Sequence, residues 1–112
     1  MSFTTTGGAS RYRRSLTPKQ MEAEVFSRVV RALRENGPQA GSLPHARAIA
    51  DTRRLWDAVQ TCVLDPTNQL PQSLRAQIAG LARAVLRECD AESPDSDFLI
   101  EINEQMAGAL WN

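Results

Sequence analysis

Few residues of this chain are able to do chemistry, and they lie far apart. His45 is the single histidine. It falls beside Pro44 in the first turn of an expected helix, with no serine or cysteine placed for it to activate. A surface histidine is therefore expected rather than a general base. Cys62 and Cys89 show no C-x-x-C spacing. The N-terminal "MSFTTTGGASRYRR" lacks the apolar core of a signal peptide, so both thiols are expected to be reduced and packed as small apolar groups. One histidine, two separated cysteines, no H-E-x-x-H and no carboxylate-rich loop leave no expected metal site. Gly7-Gly8 lacks the preceding strand of a phosphate-binding loop. The expectation is a protein with no cofactor and no catalytic residues, one that is not an enzyme.

The remaining polar feature is "DTRRLWDAVQ", in which two arginines precede a tryptophan. Arg53 stands four residues before Asp57, and Arg54 lies three from both Asp51 and Asp57. Ion pairs within one helix account for both arginines, at a few tenths of a kcal/mol each. Trp56 falls near the edge of its helix's apolar arc, which predicts a partly buried rim residue rather than a base-stacking one. Overall charge agrees: 13 basic residues balance 13 acidic ones, so no net field draws the chain to nucleic acid or a membrane. No apolar run approaches the ~20 residues of a membrane span, and a cytoplasmic protein is expected.

Four helices must position these residues. At 112 residues the chain has room for one domain, read as 16–112, after an arm at 1–15 too poor in apolar surface to order itself. Thr17, Pro18 and Gln20 form a capping box for a helix that Gly37-Pro38 stops. Pro44 opens a second helix to Val63 or Leu64, and "DPTNQ" breaks it. Pro71 opens a third to about Cys89, and a fourth spans residue 95 or 97 to 110. No stretch alternates with period two. The expected fold is all-α, a small antiparallel bundle of four helices with a mobile N-terminal arm.

Apolar arcs differ between helices. Ala48, Ile49, Leu55, Trp56, Val59, Cys62 and Val63 cover roughly 140° of the second helix. The third is alike, with Leu74, Ile78, Leu81, Ala82, Val85, Leu86 and Cys89. Its outer strip of Ala76, Gly80 and Ala84 suits either a close backbone approach or simple sequence drift. In the first and fourth helices the arc widens to roughly 200°. Packing against two neighbours each explains that width; the alternative is an apolar flank kept for a partner. On the alternative, Ala23, Phe26, Val30, Ile100, Ala107 and Trp111, with Trp56 at the rim, are the candidate partner-binding residues. Leu70 of the loop "DPTNQLP" is expected to plug the bundle between the second and third helices, while Asn68 bonds the turn's backbone; the alternative, which an exposed Leu70 would favour, is that both meet a partner directly.

Several pieces of this sequence occur together in one family. They are Thr17-Pro18 with Glu22; Arg53-Arg54-Leu55-Trp56; Asn68-Gln69-Leu70-Pro71 with Leu74-Arg75; and Leu99-Ile100-Glu101-Ile102-Asn103 before Met106 and Gly108. In this order the chain resembles, over roughly residues 12–110, the FlaF family of flagellar biosynthesis regulators. Thr52 stands where the family often has asparagine. The resemblance implies an all-helical cytoplasmic protein needed for flagellin production and filament assembly. It also implies that flagellin is bound in the manner of a secretion chaperone, and a link to a second regulator, FlbT. A flagellin segment that is amphipathic and disordered before export suits a helical groove. The rival expectation is an RNA-associated regulator of flagellin synthesis using Arg53, Arg54 and Arg75, with Arg11, Arg13 and Arg14 of the arm. A third is a bundle that only pairs with itself.

Overall fold

A computed structural model of the chain describes residues 18–36 and 41–111, with side chains from 23 to 36 and from 41 to 109. Four helices fill these segments: α1 (Pro18–Asn36), α2 (Leu43–Leu64), α3 (Gln72–Cys89) and α4 (Ser96–Trp111). No strand occurs among the described residues. The all-α expectation holds, and the predicted boundaries of the second, third and fourth helices all lie within about a residue of the observed ones. The arm, the Thr17 cap, and the Gly37-Pro38 stop lie outside the described residues.

Local chemistry explains where the helices begin and end. Gly41 adopts φ 89°, a left-handed conformation that costs glycine little, and turns the chain into α2. Ser42 caps α2 by accepting from the His45 N–H at 3.2 Å, leaving Pro44 in the first turn, where it lacks no needed donor. Asp65 then closes the helix: its carboxylate accepts from both Thr67 N–H and Thr67 Oγ1 at 2.8 Å. Those two donors hold the Asp65 carboxyl below its ordinary value. Asp95 caps α4 through Phe98 N–H at 3.2 Å, and its own N–H donates to Glu88 Oε2 at 2.9 Å.

Contacts between helices fix the topology. α1 packs most extensively on α4, α2 on α3, and α1 more thinly on α2. His45 of α2 meets Ser96 of α4, and Trp56 meets Asn103. Farther along, Val63 and Met106 share a groove. The contacts advance together along both helices, so α2 and α4 point the same way, as up–down connectivity requires. α3 and α4 scarcely touch. The bundle is thus open along one side, a slab of 38 × 37 × 22 Å with α3 as its outlying member.

The core joins Phe26, Val29 and Leu33 of α1, Ala48 and Trp56 of α2, Ala82, Val85 and Cys89 of α3, and Leu99 of α4. Trp56 is fully buried and stands edge-on to Phe26, with ring centroids 5.8 Å apart at 73°. That arrangement sets a positive ring edge against a negative face. The predicted rim tryptophan is therefore a central core residue. Its indole N–H donates to Asn103 Oδ1 at 2.9 Å, and Asn103 Nδ2 donates to the Leu99 carbonyl at 2.7 Å. Two sequence pieces that looked independent thus meet in one buried, satisfied polar contact. Thr52, also fully buried, bonds its hydroxyl to the Ala48 carbonyl at 2.8 Å and needs no other partner.

Candidate functional site

The side of the slab left open between α3 and α4 holds an apolar groove of about 230 Å³. Its residues alternate along α2 as Leu55, Ala58, Val59, Cys62 and Val63, while Val25 and Phe26 of α1 and Met106 of α4 contribute from the other helix pair. Ile78 of α3 and Leu70 of the α2–α3 loop complete it. The same 140° arc that buries Trp56 supplies this surface. α2 carries α1 and α4 on one flank and α3 on the other, and the stretch between them is left uncovered.

Leu70 departs from expectation. Its side chain is 41% exposed and forms part of the groove, so it is not a plug within the bundle. Asn68 behaves as expected and explains why: its Nδ2 donates to the Cys62 carbonyl at 3.0 Å, and its Oδ1 accepts from Leu70 N–H at 2.9 Å. The asparagine ties the loop to the last turn of α2 and holds the next residue but one outward. Arg75 reinforces the same loop through Nη1 to the Asp65 carbonyl at 3.3 Å. Apolar surface continues along α3, where Leu74 and Leu81, 40% and 36% exposed, lie within about 60° of Ile78 on the helical wheel.

The seven residues expected to bind a partner separate into three groups. Ala23, Phe26, Val30 and Trp56 are buried in the isolated chain, so as uncovered docking surface they are corrected. α1 lies against both α4 and α2, and that double packing takes up its wide arc. Phe26 alone of the four keeps a place in the groove. Ile100 and Ala107 are half-buried and pack against the core. The side chain of Trp111 lies outside the described residues. What the sequence did not single out is Leu55, Val59, Cys62 and Ile78, which it assigned to the core-facing arcs of the second and third helices, and Met106 of the wide fourth arc.

Most of the polar residues singled out have structural partners, although the buried Nε of Arg75 has none among the described residues. Arg53 reaches across to Asp90 after the end of α3 instead of pairing with Asp57 along its own helix, whereas Arg54 pairs with Asp51 as expected. Arg34 and Glu104 join α1 to α4 at 2.7 Å. His45 is buried, not on the surface, because α4 begins against it, with His45 Nε2 and Ser96 Oγ 3.3 Å apart. Burial pushes the Cys89 thiol up to about 11, with Glu88 and Asp57 adding to the effect and Arg53 opposing it. Cys62 is exposed, the reverse of its expected packing. No group of three or more metal-ligating side chains occurs among the described residues. No helix among them is long and apolar enough to cross a membrane.

An all-helical bundle whose Arg-Arg-Leu-Trp, Asn-Gln-Leu-Pro and Leu-Ile-Glu-Ile-Asn pieces build one buried lock and one grooved loop defines a small helical protein with an open apolar side. Residues 8–110 match the family model described as "Flagellar protein FlaF", nearly the whole chain, and the protein belongs to that family. No curated protein and no solved structure matches it.

Proposed function

We propose that this flagellar protein acts by binding rather than by catalysis, and that it captures flagellin in the cytoplasm as a secretion chaperone supporting filament assembly. The observation that supports the reading is the apolar groove over α2, with Leu70 held outward by Asn68 at its edge. An amphipathic segment of flagellin presents apolar residues at helical spacing, and such a face suits a shallow channel between helices. The groove has room for a few side chains, which is the scale of a short helical anchor rather than of a small-molecule site of about 300–1,000 Å³.

Titration of monomeric flagellin into the purified chain tests this reading, with Leu70→Asp and Val59→Asp as variants. Each should weaken binding by roughly 1 kcal/mol or more, about fivefold in Kd, while far-UV circular dichroism stays helical. Unchanged affinity in both variants would remove the groove from the site, and absence of binding to the parent chain would remove flagellin. The rival, an RNA-associated regulator using Arg53, Arg54 and Arg75, predicts instead an affinity for RNA that collapses with added salt. All three arginines are already engaged by protein groups, a point in favour of the groove.

A further inference from the structure

We infer that the chain's own N-terminal segment, around Tyr12 and Leu16, covers this groove when no partner is bound. The inference rests on the groove being the docking surface, and it adds that a partner must displace a built-in competitor. Geometry places the segment's root at the right end. α1 runs antiparallel to α2. Phe26, ten residues before the end of α1, faces Trp56, thirteen residues into α2. The six residues that join the helices cannot span the length of α1 as a parallel pair would need. Pro18 opens α1 seven residues before Val25, so it lies about 10 Å farther toward the 65–71 loop, at the groove's Leu70 end.

Seventeen residues precede Pro18, and their large apolar side chains include Phe3, Tyr12 and Leu16. Leu16 is two positions from the helix. Tyr12, six positions away, reaches about 20 Å if extended, enough to return along the groove. The segment also carries Arg11, Arg13 and Arg14 with no carboxylate. Asp65 stands at the same end with its carboxylate bonded by Thr67, beside the Arg75 guanidinium that donates to its carbonyl, and offers that basic run one carboxylate. A second copy of the chain is a poorer occupant. A stable dimer needs about 800 Å² from each partner, and a 230 Å³ groove takes only a few side chains.

Cys62 provides the assay, because it lines the groove and its thiol is exposed when nothing covers it. The full-length chain and its Tyr12→Ser/Leu16→Ser variant are treated with iodoacetamide, and alkylation of each cysteine is followed by peptide mass spectrometry. A segment seated nine-tenths of the time slows Cys62 about tenfold, so the double variant should react about tenfold faster. Buried Cys89 should stay slow in both, which reports an intact bundle. Equal Cys62 rates would overturn the inference. Nuclear Overhauser contacts from the Tyr12 ring or Leu16 methyls to Met106 and Val59 in the unmutated chain give a second reading independent of any variant, and their absence would also overturn it. Both measurements are made without flagellin. Failure of flagellin capture therefore leaves this inference standing, and equal alkylation rates leave flagellin capture untouched.

Discussion

Replacing Asn103 with alanine removes the only acceptor among the described residues for the buried indole N–H of Trp56, 2.9 Å away. The magnitude follows from three contributions. A buried donor left unpaired costs about 1–3 kcal/mol. The void where the amide stood adds about 1 kcal/mol, and the better helix propensity of alanine returns about 0.5 kcal/mol. The net loss is about 1.5–3.5 kcal/mol, a large part of the roughly 5–15 kcal/mol that holds a domain of this size folded. Urea denaturation followed by far-UV circular dichroism measures it, since helix content does not depend on the tryptophan being present. Trp56→Phe alone should also destabilise, because it orphans Asn103 Oδ1 and shrinks a fully buried side chain. In the double variant neither orphan exists, so its loss should fall short of the sum of the single losses by at least about 1 kcal/mol. Additivity within about 0.5 kcal/mol, or an Asn103→Ala loss below that figure, would refute the claim that this contact locks α2 to α4.

Other substitutions and conditions have equally definite outcomes. Phe26→Asp should abolish cooperative unfolding, because it drives a carboxylate into a site only 3% exposed against Trp56; a stably helical variant would return Phe26 to the surface. Gly80→Ala should raise stability by about 0.5–1 kcal/mol, since an added Cβ meets nothing within 4 Å; if it instead weakens flagellin binding, the Ala76–Gly80–Ala84 strip takes a partner's backbone. The Cys89 thiol ionises near 9.0 when unfolded and near 11 when folded, so its contribution is fully present below pH 9.0 and lost as pH rises to about 11. Comparing urea midpoints across that interval for the parent and Cys89→Ala isolates the effect, and parallel pH profiles would contradict it.

Helix number, order and most boundaries were legible in the sequence because Pro44, Pro71, Asp65 and the Gly and Asp clusters act locally, through caps and turns that need no tertiary information. The Ser42 cap was legible in principle, by its oxygen three residues before His45, but Pro44 drew the boundary toward itself. Residues whose state depends on a second helix were not legible. His45 is polar and near a helix start, which by itself describes an exposed side chain; only the arrival of Ser96 buries it. Arg53 had an ion-pair partner on its own helix, and the one it took belongs to the chain just past α3. Trp56 and Asn103 sat in two sequence pieces with no periodicity linking them.

The site was misplaced for a related reason. An apolar arc records how much surface must be covered, and the choice of neighbours decides which part stays open. α1 has one of the two widest arcs, yet α4 and α2 together cover Ala23, Phe26, Val30 and Leu33. α2 has an arc that looked just sufficient for a core, but it is asked to face three helices, one of which packs on no other member of the bundle to any extent. Uncovered apolar surface therefore appears on α2, the helix at the middle, where α3 diverges from α4. Closing that gap with one more helix would complete the layer, and an arriving segment that did so would convert the exposed edge of Ile78, Leu74 and Leu81 into core. The bundle is in this sense one helix short, which is a reason for a protein of this shape to bind a helical partner at all.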